Sequence, residues 1–185
     1  MQNIYLIGFM GSGKSHIGRS LAKLLTDYRF VDLDAYILEK SGEANIQTIF
    51  QKKGEAYFRI LESSALQDSL AFQPAIIATG GGTACFADNI SWMNAHGLTV
   101  FLNPAIETLY QRLLKGRKKR PLIAELDDNA LCLYIQNLLE QRLPYYHDAK
   151  IRIDANQEAA VLAELLAQLK LHSVKDPNSP TYNSI

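Results

Sequence analysis

Two cysteines and four histidines in 185 residues leave little from which to build a disulfide framework or a metal centre. Cys85 and Cys132 lie far apart and belong to no metal-spacing motif, so reduced structural thiols are the simplest reading. The histidines do not cluster as zinc ligands. Excess charge is lacking too: Lys+Arg and Asp+Glu balance at 19 each, which argues against a broad polyanion-binding surface. Nucleic acid is therefore not an expected partner, and positive charge must act locally. No apolar run is long enough to span a bilayer, and Met1-Gln2-Asn3 leads into a strand without a basic and apolar leader. A cytoplasmic protein that makes no use of a membrane is expected. There is no internal repeat. The length suits one domain, residues 1–172, followed by a Ser-, Pro- and Asn-rich tail, 173–185, expected to be disordered. A monomer is expected.

What is present begins with Gly8-Phe9-Met10-Gly11-Ser12-Gly13-Lys14-Ser15, directly after the apolar run Ile4-Tyr5-Leu6-Ile7. Its form, G-x-x-x-x-G-K-S, is that of a phosphate-binding loop. Glycines free the backbone so that successive N–H groups can turn onto phosphate oxygens, and the following helix adds the positive end of its dipole. Lys14 can reach the outer phosphates, and the Ser15 hydroxyl can take one position on a nucleotide-bound Mg²⁺. A chance match of four fixed positions is expected in about one chain in a hundred at this length. The context is also right, since Ile17, Leu21, Leu24 and Leu25 recur at helical spacing after the loop.

Arg29 to Asp34 reads as a short buried strand ending in two carboxylates, Asp32 and Asp34, which project from one face if the strand runs through both. Parallel to the first strand, it would place them beside the phosphate loop, one for Mg²⁺ and one for a substrate hydroxyl. Helix capping is an equal alternative. Ala35 to Leu70 reads as helical with breaks at Ser41-Gly42 and Gly54, too long for one crossover, and about 34–62 is expected to form a lobe over the site. Within it, Arg59 and Glu62 taken alone are an ordinary surface ion pair. Pro74 to Thr79 is a third strand. Gly80-Gly81-Gly82 follows, where glycine permits positive φ and close ligand approach. Further helices are expected over 87–96, 105–114, 128–142 (ending at Leu143-Pro144) and 157–171, with Asn156 as a candidate cap for the last, and strands over 98–102 and 150–153. Lys115 to Ala124, with its run of basic residues, is a solvated loop by composition or a lid that closes over phosphates.

Taken together, these landmarks resemble the shikimate kinase family. They are Gly8 to Ser15, Asp32 with Asp34, Gly54-Glu55…Phe58-Arg59…Glu62, Gly80 to Gly82, Arg120-Pro121-Leu122, and Arg142 with Tyr146. The resemblance runs from about Ile4 to Leu171. It implies an α/β fold: a three-layer α/β/α P-loop kinase of the nucleoside-monophosphate-kinase type with a five-stranded parallel sheet. It also implies phosphoryl transfer from ATP to shikimate. Carried over residue by residue, it assigns Lys14 and Arg120 to the transferring phosphates, Ser15 and Asp32 to Mg²⁺, and Asp34 to the acceptor hydroxyl. Arg59 and Arg142 would grip the substrate carboxylate, with Glu62 holding Arg59, and Gly80, Gly81 and Gly82 would meet the ring hydroxyls. Gly11, Ser12, Gly13 and His16 join Lys14 and Ser15 around the nucleotide. The adenine side falls to Arg117, Asn156 and Gln157, with Arg112 and Lys115 as alternatives to Arg117.

The lid is short by a residue against the commoner spacing, and 154–157 lacks an arginine that some members carry. A gluconate kinase would share the loop and sheet without needing paired arginines around a carboxylate. A non-catalytic nucleotide-binding regulator would have no chemical need to keep Lys14, Asp34, Arg59, Arg120 and Arg142 together.

Overall fold

The computed structural model describes residues 1–117 and 123–175, the side chains of 173–175 excepted. Five strands form one parallel sheet: β1 Asn3–Ile7, β2 Arg29–Asp32, β3 Ala75–Ala78, β4 Gly97–Leu102 and β5 Ile151–Ile153, in the spatial order β2-β3-β1-β4-β5. The register pairs Tyr5 with Ile77 on one side and with Thr99 on the other. Strands β1, β3 and β4 are buried along their whole length because helices cover both faces, as parallel crossovers require.

Alternation along β1 divides the core. Ile4 and Leu6 face α1 (Lys14–Leu24) and α7 (Glu158–Lys175), through Ile17, Leu21, Val161 and Leu165. Tyr5 and Ile7 face the other layer, built from α2 (Leu33–Ser41), α3 (Ile46–Asp68), α4 (Asn89–His96), α5 (Ile106–Lys115) and α6 (Asp128–His147). Helix α2 ends on left-handed Gly42, and α3 is kinked at Gly54, whose φ of 81° and ψ of 168° are not helical.

Four details differ from the sequence expectations. Strand β2 stops at Asp32, so Asp34 stands in the first turn of α2 rather than two places along a strand. Helix α6 does not end at Leu143 but carries Pro144 inside it and runs to His147. The hydrogen bond that proline forfeits is offset by burial of Tyr146, which packs its ring 5.1 Å from that of Phe101. Helix α7 takes in 173–175, assigned above to the tail, while 176–185 fall outside the described residues. Finally, Asn156 does not cap α7. Its Oδ1 accepts from the Ala105 N–H at 2.8 Å and the Thr108 hydroxyl at 3.2 Å, and so serves the start of α5.

Candidate active site

The β1–α1 turn winds through three glycines with left-handed or extended positive φ: Gly8 at 137°, Gly11 at 82° and Gly13 at 101°. Side-chain-bearing residues rarely adopt such angles. Helix α1 starts on Gly13, and no side chain among the described residues caps it, so its first N–H groups are left for an anion. Lys14 folds over the loop, donating to the Gly8 carbonyl at 2.7 Å and the Phe9 carbonyl at 2.9 Å. Its burial lowers the ammonium pKa to about 8, against the pull of Asp34.

Ser15 donates to Asp32 Oδ2 at 2.7 Å, while Asp32 Oδ1 accepts from the Ala35 N–H at 3.4 Å. Asp32 therefore does both things foreseen for it, capping α2 and facing the phosphate loop. Hydroxyl and carboxylate are hard oxygen donors of the kind Mg²⁺ takes. Among the described residues no group of three or more His, Cys, Asp or Glu could hold a metal alone, so the donor set suits an ion held largely by phosphate and water. His16 lies beyond them, its Nε2 2.6 Å from Glu158 Oε2 of α7, where Ser20 also donates to Oε1 at 2.9 Å.

Asp34 reaches the same site from α2. Burial, then the nearby Asp32 and Glu62 carboxylates, raise its pKa to about 6, and Lys14 and Arg59 only partly compensate. Glu62 is fully buried. It accepts from Arg59 Nη1 at 2.8 Å through Oε2 and from the Thr83 hydroxyl at 2.6 Å through Oε1. Arg59 is also held by Glu55 at 2.8 Å and stacks 3.9 Å from the centre of the Phe86 ring. The pair at 59 and 62 is thus an anchored guanidinium rather than a loose surface pair.

Gly80 to Gly82 join these groups, though not for the backbone freedom expected of them, since none adopts a left-handed φ. The reason is room. A Cβ on Gly80 would lie 2.8 Å from Glu62 Oε1 and 3.0 Å from Asp34 Oδ1, and one on Gly82 would lie 2.9 Å from Arg59 Nη1. At Gly81 it would press on the Met10 N–H at 3.2 Å and Arg142 Nη1 at 3.4 Å. Arg142 donates to the Gly81 carbonyl at 3.2 Å. The turn after β3 therefore touches the phosphate loop, Asp34, Arg59 and Arg142 at once.

On the remaining side, Arg112 donates to the Gly11 and Ser12 carbonyls, each at 3.2 Å, and to the Ala155 carbonyl at 3.3 Å. It ties the phosphate loop to the 154–157 turn. Arg117 turns away, to the Leu126 carbonyl at 2.9 Å and Asp128 at 2.8 Å. Arg120, with Pro121 and Leu122, lies outside the described residues, as does half of the expected lid, 118–122. Phe86, Thr83 and the grip of Arg112 on the loop were not foreseen; their only sequence signal is proximity to Gly80 to Gly82 or to the basic run. A cavity of about 290 Å³ between α2 and α3, lined by Ile37, Ile49, Tyr57 and Leu61 among others, shares no residue with this site.

Comparison with known proteins gives the family of this chain. The sequence profile of a family described as shikimate kinase matches residues 10–170. A shikimate kinase of Parabacteroides distasonis is 39% identical over 157 residues, which cover 85% of this chain and 90% of the relative. One from Sulfurihydrogenibium is 38% identical over 172 residues, covering 92% and 99%. Among solved structures, the Bacteroides thetaiotaomicron shikimate kinase superimposes with a TM-score of 0.86 at 36% identity, covering 91% of this chain and 98% of that one. The Acinetobacter baumannii shikimate kinase, solved in complex with shikimate, gives 0.81 at 37% identity, covering 93% and 94%. An anion loop built from main chain, facing a glycine turn flanked by two anchored arginines, thus occurs in a chain that belongs to the shikimate kinase family.

Proposed function

We propose that this protein transfers the γ-phosphoryl group of ATP to the 3-hydroxyl of shikimate, giving 3-phosphoshikimate and ADP. The observation that carries this reading is the convergence of Arg59 and Arg142 on the glycine turn beside Asp34, a few ångströms from the phosphate loop. A small hydroxyl-rich carboxylate needs guanidinium donors for its acid group and hydrogen-bond partners for its oxygens, and this turn offers both.

In this reading the phosphate loop and Lys14 hold the outer phosphates of ATP, replacing the carbonyl contacts that Lys14 makes now. Ser15 and Asp32 would hold Mg²⁺, which would supply positive charge to offset that of the phosphates. The guanidiniums of Arg59 and Arg142 bind the shikimate carboxylate, and the N–H groups of Gly80 to Gly82 meet the ring oxygens. Asp34 accepts a hydrogen bond from the attacking hydroxyl and directs its lone pair at the γ-phosphorus. In a loose phosphoryl-transfer transition state that alignment matters more than early proton removal. Arg112 is the better candidate for the nucleotide's base side than Arg117, because it already joins the phosphate loop to the 154–157 turn. Arg120 is assigned to the transferring phosphates on its sequence motif alone.

The test is ADP release from Mg-ATP in the presence of shikimate, with gluconate and quinate as controls. Turnover that depends on shikimate and is not reproduced by gluconate supports the reading. Equal turnover with gluconate, or none with shikimate, contradicts it.

A further inference from the structure

Two donors from one helix converge on a single backbone oxygen in the site. The Gly81 carbonyl accepts from Arg142 Nη1 and from the Tyr146 hydroxyl, four residues further along α6 and so on the same helix face. The Tyr146 ring is almost wholly buried against Phe101. Burial also pushes the ionisation of its hydroxyl far above the ordinary range, so it remains a donor throughout the working pH range.

The peptide being held is the one that needs holding. Gly81 and Gly82 carry no side chain that would resist rotation of their shared peptide plane. Because that plane is rigid and trans, fixing the Gly81 carbonyl fixes the Gly82 N–H on the opposite side. The hydrogen bonds of the described residues supply no acceptor for the Gly82 N–H, and Gly82 sits directly against the Arg59 guanidinium. An unused donor therefore stands beside the Arg59 guanidinium, its direction set from α6.

We propose that Tyr146 is a positioning residue for the acceptor substrate: with Arg142 it locks the Gly81–Gly82 peptide so that the Gly82 N–H stays presented to a substrate oxygen. This rests on the shikimate reading above. It gives α6 a second task besides carrying Arg142, and explains why the helix continues through Pro144 far enough to bring Tyr146 under the glycine turn.

Tyr146→Phe removes one oxygen and keeps the packing. The expected result is a rise of about tenfold in the KM for shikimate, with the KM for ATP unchanged and the melting temperature lowered by no more than the few degrees that one lost hydrogen bond costs. A parental shikimate KM overturns the proposal. So does an equal rise in both KM values with a lowered melting temperature, which is the signature of a purely structural tyrosine. A second measurement needs no variant: in the parent protein labelled with ¹⁵N-glycine, shikimate alone should slow exchange of the Gly82 amide. Unchanged exchange overturns the proposal even if Tyr146→Phe fails to fold. A parent without shikimate-dependent ADP release overturns the functional reading itself, whereas an active parent with an indifferent Tyr146→Phe overturns only this inference.

Discussion

The nucleotide side and the acceptor side of this site are built in opposite ways. The first is eight consecutive residues, Gly8 to Ser15, whose work is done by main chain at angles that only glycine adopts readily. The second draws on four separate stretches: Asp34 from α2, Arg59 and Glu62 from α3, the Gly80 to Gly82 turn, and Arg142 with Tyr146 from α6. One is local and backbone-made. The other exists only after the sheet has brought β1, β2 and β3 side by side, with Arg59 held by a fully buried carboxylate, Glu62, and Arg142 by the Gly81 carbonyl. A site of the first kind tolerates little change in φ but needs few partners. A site of the second kind depends on every neighbour that fixes a side chain.

That contrast can be broken one half at a time. The largest effect is expected from Lys14→Ala, which should weaken ATP binding and lower kcat about a thousandfold or more while leaving shikimate affinity intact. Activity equal to the parent would sink the phosphate-loop assignment. Arg59→Ala should raise the KM for shikimate about a hundredfold with ATP binding nearly unchanged, because a charge-assisted fork is lost. Alanine also leaves Glu62 buried without its partner, so a lower melting temperature is expected. Arg59→Lys separates the two effects: it should restore most of the stability but only part of the affinity, since an ammonium cannot fork. If lysine restores both fully, Arg59 is a structural partner of Glu62 and not a carboxylate ligand.

A milder perturbation is pH. Asp34 must be ionised to accept from the substrate hydroxyl, and Lys14 must be protonated to bind phosphate. With their pKa values at about 6 and about 8, kcat/KM for ATP should be bell-shaped, falling about tenfold per unit beyond each limb. A flat profile between pH 5 and 9 would contradict both assignments.

The same contrast explains what was legible in the sequence. The phosphate loop could be read outright, because its function is written in contiguous residues. The succession of strands and helices along the chain followed from apolar runs and periodicity, whereas the order of strands in the sheet came only with the family resemblance. The acceptor half could be recognised only as a set of family landmarks, since Arg59 with Glu62 by itself is indistinguishable from a surface pair. Asp34 was identified with the wrong local geometry, because a carboxylate at the end of a strand and one in the first turn of a helix share the same short spacing. Pro144 misled for a tertiary reason: burial of Tyr146 outweighs a local helix-breaking preference. The side-chain grip of Asn156 on the start of α5 and the Phe86 platform under Arg59 are long-range contacts without any local signature. Of the two reasons the sequence offers for the glycine turn, positive φ and room for close approach, the structure shows no positive φ at Gly80 to Gly82 and little space for a Cβ at any of them.

Asp34 is where the two halves meet, coupled to Lys14 on one side and to Arg59 and Glu62 on the other, and it provides the most direct test. Its folded pKa lies above the unfolded value of 3.8, so the folded state binds the proton more tightly and stability falls as pH rises from about 4 to about 6. Above that window the ionised carboxylate carries a cost on the order of 1–3 kcal/mol. The deciding measurement is Asp34→Asn at neutral pH, with kcat and melting temperature determined on the same sample. The account predicts a fall in kcat of about a hundredfold or more, together with a melting temperature several degrees above the parent. A near-parental kcat, or a variant that loses stability along with activity, would contradict it: the carboxylate would then be a structural group and not the partner of the attacking hydroxyl.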